Sequence, residues 1–143
     1  SSGMKKVLLD TNIILDFILY REEFYQDAEV IFELSSNQEI CSFISASSIT
    51  DLFYIIKKQK NKDIAKRFLI DLTSFVKIAN VDHIVKENAL NSDLYDFEDA
   101  VQDCVAQINQ IDIIITRNIK DFKKANTKIL SPKDFLRFHL NSV

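Results

Sequence analysis

The sequence predicts an α/β fold, a three-layer α/β/α sandwich around a mostly parallel sheet of four to five strands. Three observations predict it. Short β-rich runs alternate with longer runs of helical period along all 143 residues. Two short runs, KVLLD at 6–10 and DIIIT at 112–116, have continuously apolar centres, as strands covered on both faces require. The composition is globular, 47% hydrophobic and 27% charged, with one Pro and one Gly to punctuate it. Parallel neighbours are joined by crossovers, nearly always right-handed, so the alternation places helices on both faces of the sheet.

The strand at 6–10 leads into a helix at 11–20. A second helix spans 26–35, marked by Ala28, Ile31, Phe32 and Leu34, with Asn37 as its stop. A strand at 40–45 precedes a helix at 47–58, where Ile49, Leu52, Phe53 and Ile56 recur at i, i+3, i+4, i+7. Another helix covers 62–72, a short strand 75–79 and a helix 82–90, followed by a polar loop of Asn91, Ser92 and Asp93. Residues 97–109 form a helix with Phe97, Ala100, Val101, Cys104 and Ile108 on one face. After the strand at 112–116 come a short helix at 121–125, a strand at 128–130 and a last helix starting at Pro132, a residue favoured in a first turn. Ser1, Ser2 and Gly3 read as an expression remnant, and residues 4–143 as one domain, a size at which about two-thirds of the unfolded surface is buried.

The composition excludes several chemistries. From Met4 onward there is no glycine, which removes phosphate-binding loops, dinucleotide turns and the nucleophile elbow, all of which need close backbone approach or positive φ. Cys41 and Cys104 stand far apart in apolar runs and form neither a CxxC pair nor a disulfide framework, which fits a reducing cytoplasm. With His83 and His139 as the only histidines, a zinc site or a histidine-based triad has little to build on, so metal chemistry must use oxygen ligands. No apolar run approaches membrane-spanning length and no signal-peptide pattern precedes the first strand, so the expectation is a cytoplasmic protein without membrane attachment. A net charge of -3 and a pI near 5.4 argue against broad non-specific binding to nucleic acid.

Ligands of open parallel sheets bind beyond the carboxyl ends of the strands. Four acids fall there by this reading: Asp10 closes the first strand, Asp51 follows the second by six residues, Asp99 lies in the first turn of its helix, and Asp121 follows DIIIT. Each has an ordinary structural alternative: Asp10 and Asp121 as helix N-caps, Asp99 as a partner of the helix dipole. Asp51 flanks the apolar stripe at Leu52, and Asp103 repeats one turn after Asp99, where like charges cost stability. Clustered carboxylates destabilise an empty site, whereas a divalent cation reverses that repulsion. An oxygen-only donor set points to Mg2+ or Mn2+, and ions of this kind activate water and clamp a phosphodiester, so phosphodiester hydrolysis is the chemistry it suits.

Four segments carry a family resemblance: LLDTNIILD (8–16), ISASSITDLFY (44–54), DFEDAVQDCVA (96–106) and ITRNIKDF (115–122). In this order and spacing they resemble the motifs of PIN-domain proteins, including the VapC-like toxins. The resemblance implies a metal-dependent nuclease acting on single-stranded or structured RNA. It makes Asp10, Asp51, Asp99 and Asp121 the metal-binding and catalytic quartet, supported by Asn12, Thr116 and Asn118, with Asp96 and Asp103 behind them. Many relatives have Glu where this chain has the shorter Asp51, which would bind metal through water. Asn118 and Asp121 compete for the fourth acidic place, and Asp121 is preferred because it is charged.

Arg117 and Lys120 follow DIIIT on the proposed active edge and are the expected phosphate contacts, with Lys123 and Lys124 beside them. Tyr54 and Ile55 lie off the apolar stripe of their helix and suggest a homodimer surface, against the alternative of a wide core face. The resemblance also implies an antitoxin whose basic segment enters the acidic cleft. Two other readings compete: a catalytically silent PIN-like module that binds RNA or protein, and a receiver-like phosphoacceptor domain, whose lysine and mid-sheet aspartate do not stand where expected.

Overall fold

The computed structural model describes residues 3–94 and 96–142, so Ser1 and Ser2 of the expected remnant lie outside the described residues. The chain runs β1 (Lys6–Leu9), α1 (Thr11–Ile18), α2 (Glu22–Ser36), β2 (Cys41–Ser45), α3 (Ala46–Gln59), α4 (Lys62–Leu72), β3 (Val76–Ala79), α5 (His83–Leu90), α6 (Phe97–Ile108) and β4 (Ile113–Ile115). A single 3-10 turn (Ile119–Phe122), β5 (Lys128–Leu130) and α7 (Pro132–Asn141) complete it. All four strand pairings are parallel and the order is β3-β2-β1-β4-β5, which confirms the α/β/α expectation.

The continuous apolar runs have the expected physical meaning. Val7 and Leu9 of β1 and Ile113 and Ile115 of β4 enter one core with α1, α2, α3, α4 and α7. Leu8 and Ile114, one residue out of phase, enter the other with α5 and α6. Val7 to Leu9 of β1 and Ile113 to Ile115 of β4 are therefore apolar at every position, with Lys6 at the open start of β1. From β1 the sheet grows through β2 to β3 on one side and through β4 to β5 on the other. The order reverses between β1 and β4, where a crevice opens beyond the strand ends.

Several boundaries differ from expectation. α2 begins at Glu22, four residues ahead of the predicted start, because Phe24 and Tyr25 extend the apolar stripe and Glu22 and Glu23 suit the positive end of the helix dipole. α1 stops at Ile18 rather than at residue 20, since Tyr20 turns to φ 49. Left-handed positions normally go to glycine; here Tyr20, Gln38 and Gln110 take them just beyond α1, α2 and α6. The expected helix at 121–125 is the single 3-10 turn instead: Phe122 alone plugs the core, at 2% exposure, and one turn suffices to deliver it. Among the described residues no helix is long and apolar enough to cross a membrane.

Candidate active site

The reversal between β1 and β4 positions the central carboxylate. Asp10 lies one residue past β1 and its N–H donates to the carbonyl of Ile115, which continues the ladder to β4. It is also the N-cap of α1, so the ordinary explanation for this residue and the functional one coexist. Its Oδ1 accepts from Thr11 N at 2.8 Å and Gln102 Nε2 at 3.2 Å, and its Oδ2 from Thr116 Oγ1 at 2.6 Å and Asn12 Nδ2 at 3.4 Å. Thr116 is in turn held by the Asn118 N–H at 3.0 Å. A carboxylate buried and held this way is fixed in direction.

Asp10 forms part of the wall of a cleft of about 250 Å³, lined also by Asp51 from α3, Glu98, Asp99 and Gln102 from α6, and Lys86 from α5. The acids act on one another. Burial first, then the charges of Asp96, Asp10, Asp121 and Glu98, pushes the Asp99 carboxyl up to about 7. Glu98 is raised by burial and by Asp51, Asp96 and Asp10. Asp96 caps α6 by accepting from Asp99 N at 3.1 Å. Residues 6–120 match the sequence profile of the PIN domain.

The chain belongs to the PIN-domain family. No curated protein sequence matches it significantly. Solved structures similar to this PIN domain include VapBC2 from Rickettsia felis bound to a DNA fragment from its promoter, 19% identical with TM-score 0.68 over 88% of this chain and 98% of that one. FitAcB from Neisseria gonorrhoeae is 15% identical with TM-score 0.69, covering 89% of this chain and 98% of that one. VapC20 from Mycobacterium tuberculosis, a Sarcin-Ricin loop cleaving toxin, is 14% identical with TM-score 0.65, covering 85% and 98%.

In this PIN domain Asp10, Asp51 and Asp99 share the cleft, while Asp121 is exposed in the 3-10 turn and reaches the site through its charge on Asp99. Asn12, Thr116 and Asn118 belong to the hydrogen-bonded support of Asp10. Asp103 lies elsewhere. Its carboxylate accepts from Asn126 N, from Thr127 N and Oγ1, and from Gln107 Nε2, tying α6 to the loop before β5. The Asp99–Asp103 repeat thus reflects a satisfied buried acid rather than a shared cation. Among the described residues no three carboxylate, histidine or cysteine side chains stand close enough to enclose a metal ion directly.

Arg117, expected to meet phosphate, is instead bound to Asp16: its Nε donates to Oδ2 at 2.7 Å and a terminal nitrogen to Oδ1 at 3.0 Å. The guanidinium also lies 3.9 Å from the centroid of Phe24, and Arg21 adds a contact to Asp16 at 3.2 Å. Lys120 remains exposed in the 3-10 turn, and Lys86 in the cleft is a cation the sequence reading overlooked. Tyr54 and Ile55 do face solvent, at 62% and 37% exposure. Asp16 was overlooked as well, although an acid inside the apolar run TNIILDFI is a signal of a buried ion pair. Asp16→Asn is expected to cost about 3 kcal/mol by stranding Arg117, read as a lower midpoint in urea.

The raised Asp99 gives the metal-free protein a pH dependence of known sign. Between its ordinary value of 3.8 and about 7, the folded chain binds the proton more tightly than the unfolded one. Stability contributed by this group is complete below the lower value and lost as pH rises through the upper. The urea midpoint in EDTA is expected to fall between about pH 4 and pH 7 and then level off, and to fall less in Asp99→Asn.

Proposed function

We propose that this protein is a Mg2+- or Mn2+-dependent endoribonuclease, the toxin of a toxin–antitoxin pair. The observation that carries the reading is the convergence of Asp10, Asp51, Glu98 and Asp99 on one cleft at the carboxyl edge of the sheet. The donor set suits such an ion: every candidate ligand is an oxygen, and two buried amide oxygens in the support of Asp10, Asn12 Oδ1 and Gln102 Oε1, have no partner. Asp10 and Asp99 would hold the ion, with Asp51 and Asp121 acting through water. When bound, such an ion lowers the pKa of a coordinated water and offsets charge on the phosphoryl oxygens. The protein's part is to fix Asp10 through Thr116, Asn12 and Gln102, and to offer Lys86 in the cleft and the exposed Lys120 of the 3-10 turn as phosphate contacts.

The solved neighbours include toxin–antitoxin complexes, and VapC20 is described as cleaving the Sarcin-Ricin loop, which supports RNA as substrate and an antitoxin as partner. A basic antitoxin segment would complement the acidic cleft. Incubation with structured RNA is expected to give discrete fragments with Mg2+ or Mn2+, none with EDTA, and the same fragments when the ion is restored. Cutting that persists in EDTA would contradict the reading. One observation favours a second reading, a PIN-like module that binds without cutting: no direct three-ligand set is preformed among the described residues. Metal binding with no cleavage across varied RNAs would establish it.

A further inference from the structure

The two amides that hold Asp10 share an anomaly. Among the described residues, the buried side-chain polar atoms with no hydrogen-bond partner are Asn12 Oδ1 and Gln102 Oε1. An unpaired buried acceptor is costly and needs a reason. Reversing the Gln102 amide would not relieve it, because the carbonyl oxygen would then face the Asp10 carboxylate. The amide orientation is therefore set by Asp10, and each oxygen is left over by the same contact that fixes the carboxylate. Gln102 is 5% exposed and contributes to the cleft wall beside Asp51, Glu98 and Asp99.

We infer that Gln102 is a positioning residue for a hydrated divalent ion: Nε2 clamps Asp10, and Oε1 accepts a hydrogen bond from a water on the ion. The inference rests on the proposal that the cleft takes Mg2+ or Mn2+. Water on a cation presents only protons outward, so a hydrated ion needs acceptors around it. Asp10 has much of its accepting capacity taken by four close donors, and no direct three-ligand set is present among the described residues. An ion held here keeps several waters, as Mg2+ tends to. A neutral amide oxygen steadies such a water without adding negative charge to a set that already repels itself. Asn12 Nδ2 likewise donates to the other carboxylate oxygen, but Asn12 does not line the cleft.

The test uses the full chain and Mn2+ alone as probe, with free Mn2+ read by electron paramagnetic resonance. Gln102→Met keeps the length and apolar bulk but removes both amide atoms. Gln102→Glu keeps an acceptor oxygen and removes the donor. Gln102→Met is expected to fold and to weaken Mn2+ binding about tenfold, the scale for residues acting behind metal ligands. Its cleavage rate is expected to return when Mn2+ is raised by about the same factor, and Gln102→Glu, which keeps an acceptor but loses the Nε2 contact to Asp10, to bind Mn2+ more tightly than Gln102→Met. Wild-type affinity in Gln102→Met, or affinity in Gln102→Glu no better than in Gln102→Met, would overturn the inference. If Gln102→Met fails to fold, Gln102→Leu takes its place in the same comparison. Wild-type protein that takes up no Mn2+ would overturn the nuclease proposal along with it, whereas normal wild-type binding with an unaffected Gln102→Met overturns only the role of Gln102.

Discussion

Asp99→Asn is expected to raise the stability of the metal-free protein while reducing cleavage at least about a hundredfold, the scale of losing one charge-stabilising group at a reacting centre. Both effects come from the same repulsion. Asp99 is raised to about 7 by burial and by four acidic neighbours, so its ionised form is a liability at neutral pH. An amide of the same shape removes that liability, and the thermal midpoint in EDTA should rise by a few degrees. With Mg2+ present the order should reverse, because only the carboxylate gains from the cation. A variant that is stabilised in EDTA yet cuts RNA at the wild-type rate would remove Asp99 from the site.

Asp10→Asn is expected to lose cleavage to a similar degree, and to lose stability as well. Here the carboxylate is not strained but satisfied: Thr11 N, Gln102 Nε2, Thr116 Oγ1 and Asn12 Nδ2 all donate to it. An asparagine would turn one acceptor oxygen into a donor facing donors, whichever way its amide is placed. The cost is about 2 kcal/mol, that of a hydrogen bond to a charged group, measurable by urea denaturation. The opposite signs of the two stability changes separate the roles: Asp10 is fixed by neutral donors, and Asp99 is held in place against the charges around it.

Much of this was legible in the sequence because a strand buried on both faces must be apolar at every position, as Val7, Leu8 and Leu9 are. Acids at strand ends were legible for the same reason, since they interrupt those runs where the topology makes an edge. What sequence could not supply was direction within a helix turn. Asp99 and Asp103 are one turn apart on α6, yet one faces the cleft and the other satisfies the loop at Asn126 and Thr127. Arg117 read as a phosphate contact because its partner, Asp16, is 101 residues away in the chain. Gln102 lies in a buried run, 100–106, where only it and Asp103 are strongly polar; that contrast was the available signal.

The central claim is that the acidic cleft cuts RNA with a divalent ion, and mapping the 5′ ends produced in total RNA tests it most directly. Wild-type protein with Mg2+ should create a discrete set of new ends that disappears in Asp10→Asn and in EDTA. The same ends appearing in Asp10→Asn at the wild-type level would contradict the account.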